Sequence, residues 1–282
     1  MRASSQRRVA VGFFDGVHLG HRAVLKTADA AVTFTGHPLS VIAPHKAPKL
    51  IMSTKERLDA IREIGVGEIT AVDFTPELAE MSCEEFALTY LGRPGEAVIL
   101  SGADWRFGRG AQGSGEWLAA HGYDVETSSY MIWEGERISS SRIRASLRNG
   151  DVASAAKMLS RPYRLDGITF NGKGKGRSIG FPTVNFSVSH AKEPIIPLGV
   201  YSASICGQRA LVNFGTAPTF AADAWETPVI EAHFLGDVPV IADDSVAIDF
   251  LGFIRRECRF SSVEELRSRI AADKALCLNQ EV

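Results

Sequence analysis

The sequence predicts two domains, an α/β domain on a parallel sheet followed by a mainly-β domain that ends in one helix. Three observations carry this. Apolar strand-like runs alternate with capped helical stretches as far as Ser139. From Tyr163 to Phe253 the signals change to short strands, glycine turns and prolines. The length of 282 residues suits two domains at roughly 100–200 residues each.

In chain order, Val9–Phe13 is rich in β-formers and runs into a Phe-Asp-Gly turn, with a helical pattern from near His21. Ala31–Phe34 reads as a second strand. Ser53 with Glu56 is a capping box, opening a helix with an apolar stripe of Leu58, Ile61 and Ile64 and Gly65 at its C-terminal cap. A strand at 69–74 follows. Ser82 with Glu85 opens another helix, ending at Gly92, and Ala97–Leu100 is a further short strand. Strands separated by helices argue for a parallel sheet covered on both faces. Residues 140–159 read as helical, interrupted at Asn149-Gly150, and the domain boundary falls near 157–162, giving domains 1–158 and 159–282. The all-β stretch beyond suggests a barrel or a sandwich. Ser262 with Glu265 caps a last helix, with Val263, Leu266 and Ile270 on one face.

Charged residues make up 23% and apolar ones 45%, the balance of a globular rather than a disordered chain. A net charge of −2 gives no overall basic field, so nucleic acid is not an expected partner. Cys83, Cys206, Cys258 and Cys277 are scattered with no Cys-x-x-Cys pair, which offers neither a zinc site nor a disulfide framework. No apolar run approaches the ~18 residues of a membrane span, and the run after Arg8 is too short for a signal peptide. A cytoplasmic protein is expected, with no membrane partner; its oligomeric state is not legible.

Two constellations carry chemistry. The first is Val11-Gly12-Phe13-Phe14-Asp15-Gly16-Val17-His18-Leu19-Gly20-His21, leading from a strand through a turn to a helix start. Helix N-termini present unpaired N–H groups to anions, and Gly16 and Gly20 permit close backbone approach. His18 and His21 are spaced to converge on one phosphoryl centre and stabilise its developing charge. The spacing does not fit a zincin helix, which has its histidines four apart around a glutamate. Farther on, the run from Arg137 through Ser140 to Arg144 gathers guanidinium groups and hydroxyls around another helix start, fitting the far side of a triphosphate site. Gly108-Arg-Gly110-Ala-Gln-Gly113 spells a dinucleotide fingerprint, but it lies several residues past its strand and reads as a loop.

The second constellation begins with Gly172, Lys173, Gly174, Lys175 and Gly176, a glycine loop with cations that suits an anion nest. It is not a P-loop, because Gly174 stands where a Ser or Thr is needed. On the strand that follows, Thr183 and Asn185 share a face, and their oxygens suit Mg²⁺ together with phosphate oxygens and water. In Val229–Leu235 the alternation places Ile230, Ala232 and Phe234 on one face and Glu231 and His233 on the other. A carboxylate there can take the proton of an attacking hydroxyl.

Together these ordered motifs resemble the bacterial bifunctional riboflavin kinase/FAD synthetase family, across about residues 9–275. The first constellation, with Thr33–Pro38 and Gly102–Gly108, looks like its adenylyltransferase module; the glycine loop, Pro-Thr-x-Asn and Glu-x-His look like its kinase module. The resemblance implies a Rossmann-like nucleotidylyltransferase domain and a mainly-β barrel kinase domain. It implies that His18 and His21 orient ATP phosphates and that Gly12, Phe14, Asp15, Gly16, Gly20, Arg137, Ser140 and Arg144 hold the nucleotide. Asp104 and Phe107 are implied to lie by the flavin, Thr183 and Asn185 at Mg-ATP, and Glu231 at the ribityl 5′-hydroxyl. The implied reactants are riboflavin, FMN, ATP and FAD. Phe13 stands where the family has Asn, Ala217 where it has Arg, and Arg256 where it has Asp. A nucleotidylyltransferase of other specificity, a kinase with a silent partner domain and a non-catalytic flavin binder are the alternatives.

Overall fold

The structure is a computed structural model that describes residues 6–171, 176, 179–189, 191–216, 228–241 and 245–279. It divides into two compact units between Ser140 and Ser141.

The first unit is built on five parallel strands: β1 (Arg7–Val11), β2 (Ala30–Phe34), β3 (Glu68–Val72), β4 (Ala97–Gly102) and β5 (Asp124–Ser128). Their spatial order is β3-β2-β1-β4-β5. The chain reverses its direction of travel across the sheet at β1, and in such sheets ligands bind beyond the carboxyl ends of the strands at that point. All five residues of β2 are buried, as expected of a strand covered on both faces. The helices are α1 (Leu19–Leu25), α2 (Pro38–Ile42), α3 (Thr54–Glu63), α4 (Pro76–Ala79), α5 (Cys83–Phe86) and α6 (Gly115–Ala120).

Both expected capping boxes form. Ser53 Oγ accepts from Glu56 N at 3.2 Å while Ser53 N donates to Glu56 Oε2 at 2.6 Å, and Ser82 and Glu85 do the same at 3.2 and 3.0 Å. After α5 the helix widens into a π turn over Ala87–Leu91 and stops at Gly92, whose φ of +87° favours glycine. The 108–113 segment is an ordered turn, with Phe107 and Gly113 exchanging backbone bonds of 3.1 and 2.9 Å. A Cβ at Gly113 would come within 2.5 Å of the Phe107 ring, so this glycine serves packing, not a cofactor. A short hairpin of β6 (Ile132–Trp133) and β7 (Glu136–Arg137) follows.

The boundary falls at the first residue of α7 (Ser140–Arg148), and α8 (Val152–Leu159) follows after Gly150, where φ is +82°. Six antiparallel strands then close into a barrel: β8 (Tyr163–Phe170), β9 (Val184–Val188), β10 (Gly199–Ile205), β11 (Gln208–Thr216), β12 (Pro228–Phe234) and β13 (Val246–Arg255). The closed order is β10-β11-β12-β9-β8-β13, which settles barrel against sandwich and leaves no free sheet edge. Phe186, Tyr201, Phe214, Ile230 and Phe250 fill its interior. At Gly167 a Cβ would sit 2.8 Å from both Ile248 and Phe186, so only glycine lets these strands approach.

The last helix, α9 (Val263–Asn279), is capped as expected, Glu265 N donating to Ser262 Oγ at 3.1 Å. Its inward stripe differs from the expected one. Leu266, Ile270, Asp273 and Cys277 face inward, while Val263 is 48% exposed. Val263 sits in the first turn, before the helix meets the barrel. The buried Asp273 receives Arg255 Nε from β13 at 2.8 Å, and this ion pair fastens the helix to the barrel.

Candidate functional site

In the first unit the site is the turn between β1 and α1. The backbone enters left-handed conformations at Phe14 (φ +56°), Gly16 (+82°) and Val17 (+41°). For a β-branched residue such as Val17 this is uncommon, and each such non-glycine residue costs about 1–3 kcal/mol, which surrounding structure must offset. Ser140 Oγ donates to Asp15 O at 2.8 Å. The Asp15 carboxylate accepts from Ile51 N at 3.0 Å and Met52 N at 3.3 Å. Asp15 is 2% exposed, and its side chain braces the turn against the chain at Ile51 and Met52. Ser140 likewise spends its hydroxyl proton on the turn.

Arg57 completes this support. It is fully buried, donates to the carbonyls of Phe34 and Thr35, and lies 4.1 Å over the Phe13 ring. Burial works against its charge and the Asp15 carboxylate favours it. This residue was missed in the sequence because it read as one more polar position on an amphipathic helix.

His18 and His21 stack with ring centroids 3.6 Å apart and planes at 16°. His18 is 6% exposed, and its Nδ1 accepts from His21 N at 3.3 Å as the cap of α1. That cap consumes one of the amides expected to bind phosphate, and α1 has only seven residues. A Cβ at Gly20 would press within 3.2 Å of the His18 ring, which is why glycine follows the cap so closely. Gly12 makes the same allowance for the Phe14 ring at 3.0 Å, and Phe14 meets His21 edge-on at 5.3 Å.

His21 keeps partial exposure, but its Nδ1 is enclosed and has no hydrogen-bond partner among the described residues. Burial, then the neighbouring His18 and Arg137, hold its pKa well below the ordinary histidine range. Arg137 Nε is also enclosed and without a partner among the described residues. Its Nη2 donates to Asp104 Oδ2 at 2.8 Å, and its guanidinium lies 3.7 Å over Tyr130. An enclosed polar group left unpaired costs about 1–3 kcal/mol; Arg57 Nε and Nη1, beneath the same turn, are likewise without a partner among the described residues.

Asp104 is exposed and tied to Arg137, whereas Phe107 is 6% exposed, stacked on Trp105 at 4.6 Å in the apolar core. Arg144 is buried on α7 and belongs to the second unit.

In the second unit the strand register builds the site. Glu231 on β12 pairs with Asn185 on β9 and with Asn213 on β11, and Asn185 pairs with Phe170 on β8. Directly paired residues share a face, so Asn213, Glu231, Asn185 and Phe170 form one row across the barrel's outer surface. Ile230, Ala232 and Phe234 are buried inside while Glu231 is exposed, the alternation read from the sequence. Asn213 was not singled out from sequence, since only the cross-strand register reveals it.

Gly172, Lys173, Gly174 and Lys175 lie outside the described residues. Gly176 is described: its carbonyl accepts from Phe181 N at 2.9 Å, and a Cβ there would meet Phe181 O at 2.3 Å and Thr183 Oγ1 at 3.2 Å. The end of the glycine loop thus lies against Thr183, which no bulkier residue at 176 allows. Among the described residues, no group of three or more His, Cys, Asp or Glu side chains could hold a metal ion. Thr183 and Asn185 instead offer two hard oxygen donors, which fits a Mg²⁺ that keeps phosphate and water ligands.

Comparison with known proteins agrees with both halves. Residues 1–142 match the FAD synthetase family and residues 159–280 the riboflavin kinase family. A bifunctional riboflavin kinase/FMN adenylyltransferase of Bacillus subtilis is 31% identical, covering 94% of this chain and 90% of its own length. The Escherichia coli protein of the same description is 30% identical over the same shares. A crystal structure titled as a macrolide-efflux protein from Streptococcus pneumoniae superimposes with a TM-score of 0.84 at 28% identity, covering 99% of this chain and 96% of that one. Among the described residues, no helix is long and apolar enough to cross a membrane. With both family matches in chain order and relatives aligned along nearly their whole length, the chain belongs to the bifunctional riboflavin kinase/FMN adenylyltransferase family.

Proposed function

We propose that residues 159–282 phosphorylate riboflavin to FMN and that residues 1–158 adenylylate FMN to FAD, each consuming ATP in the cytoplasm. In the kinase step Glu231 accepts the proton of the ribityl 5′-hydroxyl as its oxygen attacks the γ-phosphorus, and ADP leaves. Thr183 and Asn185 would hold Mg²⁺, which when bound neutralises triphosphate charge. In the adenylyl step a phosphate oxygen of FMN attacks the α-phosphorus of a second ATP, and pyrophosphate leaves. That nucleophile is already anionic, so the protein needs no strong base; His18, His21 and Arg137 align the phosphates and meet the charge that develops.

The observation that carries the reading is the pair of unpartnered nitrogens, His21 Nδ1 and Arg137 Nε, beside a turn that is held in strained geometry. The aligned row of Glu231 and Asn185 supports the kinase half in the same way. Incubation of the purified protein with riboflavin and Mg-ATP, followed by chromatography of the flavins, tests it. FMN followed by FAD is expected. FMN alone indicates a kinase with a silent partner domain, and absence of both products refutes the proposal.

A further inference from the structure

His233 has no part in the chemistry above, yet its surroundings tie two pieces of the kinase site together. It follows Glu231 by two residues on β12 and lies on the same outer face of the strand. Its Nδ1 is 2.9 Å from the carbonyl oxygen of Pro182. A carbonyl only accepts, so Nδ1 carries the hydrogen, and in the neutral ring Nε2 is left with the lone pair. That Nε2 is enclosed and has no hydrogen-bond partner among the described residues. The ring also meets Phe181 edge-on, with centroids 5.4 Å apart and planes at 77°.

The position matters because of where the backbone ladder stops. Pairing of β9 with β12 ends at Val184 opposite Ala232, so Phe181, Pro182 and Thr183 lie beyond the last rung. Proline has no N–H to offer a ladder. The same segment packs against Gly176 through the Phe181 amide and the Thr183 hydroxyl.

We infer that His233 is a positioning residue: its Nδ1–H bond to Pro182 continues the β9–β12 pairing by one side-chain rung and fixes Thr183 beside Asn185 and Glu231. The inference rests on the reading of this face as the Mg-ATP site.

The test compares His233→Phe, which keeps the ring contact with Phe181 and removes the N–H, with His233→Asn, whose amide N–H stands near the place of Nδ1–H. Phosphorylation of riboflavin is followed at varied Mg-ATP, and adenylylation of supplied FMN is followed in parallel as a check on the intact chain. Loss of one hydrogen bond that orders a ligand residue should raise the KM for Mg-ATP about tenfold in His233→Phe, with kcat changed less than about threefold. His233→Asn should return KM to within about twofold of the parent, and adenylylation should be unchanged in both. Parental KM in His233→Phe, or equal impairment in the Asn variant, overturns the inference. Thr183→Val, measured alongside, separates the two layers. If it leaves phosphorylation intact, the Mg-ATP reading of this face fails; if it impairs phosphorylation while His233→Phe does not, only the role of His233 fails.

Discussion

The two units face the same task, holding a triphosphate and aiming one phosphorus at an incoming oxygen, and they build for it differently. In the first unit the groups hang from a single turn with left-handed residues at Phe14, Gly16 and Val17. That turn keeps its shape because buried Asp15 and Arg57 and half-buried Ser140 hold it from beneath. In the second unit the groups are spaced by register along paired strands, with Asn213, Glu231 and Asn185 in one row on a closed barrel. The first design stores local strain and secures it with long-range side-chain contacts. The second stores none at these positions, because a β ladder already aligns side chains. The lesson is that the shape of the sheet-end turn depends on residues beneath it, whereas the barrel row depends on strand register.

Substitutions sharpen this contrast. Glu231→Gln keeps shape and removes the base, so riboflavin phosphorylation should fall by roughly 10²–10⁴-fold, with adenylylation of supplied FMN unaltered. His21→Ala removes a group that meets developing charge, and FAD formation from FMN should drop about 10²-fold while FMN formation persists. Steady-state assays of each half-reaction check both. Asp273→Ala strands the partly buried Arg255 cation, so the second unit should lose about 3 kcal/mol of stability, read as a lower denaturant midpoint for the barrel. An unchanged midpoint would mean that the apolar contacts of Leu266, Ile270 and Cys277 and the Arg209–Cys277 carbonyl bond hold α9 without the ion pair.

The smallest expected effect is on pH dependence. His21 is held neutral by burial, its pKa well below the ordinary value of 6.5. Below about pH 6.5 the unfolded chain therefore binds a proton that the ligand-free folded chain does not, and stability falls as pH drops. A bound polyanion favours the protonated ring, so ATP binding at this site should take up protons and the ATP-induced rise in Tm should grow between pH 7.5 and 6. His21→Gln should remove that pH dependence.

Much of this was legible in the sequence. Each capping box marks its own helix start because both partners lie within one turn, and Gly12–His21 announces a strand–turn–helix passage through glycines and spaced histidines. The polar face of Glu231 and His233 follows from simple alternation. The rest depends on partners distant in sequence. The motif assigns Asp15 to the nucleotide; that its carboxylate accepts from the Ile51 and Met52 amides is visible only in the fold. Barrel closure was equally hidden, since it rests on β8 pairing with β13, Gly167 opposite Val246. The dividing line between compact units falls at Ser140/Ser141, ahead of the change in sequence pattern near 157–162, because helices show the same periodicity whichever core they pack on.

The most direct test of two separate ATP sites in one chain is complementation in solution. Glu231→Gln and His21→Ala, each given riboflavin and Mg-ATP, should each make FAD only at a small fraction of the parental rate. Mixed, they should make FAD at a substantial rate, because FMN released by the second variant is taken up by the first. A mixture no better than its components, with both proteins folded, would contradict the division of labour between the turn and the barrel.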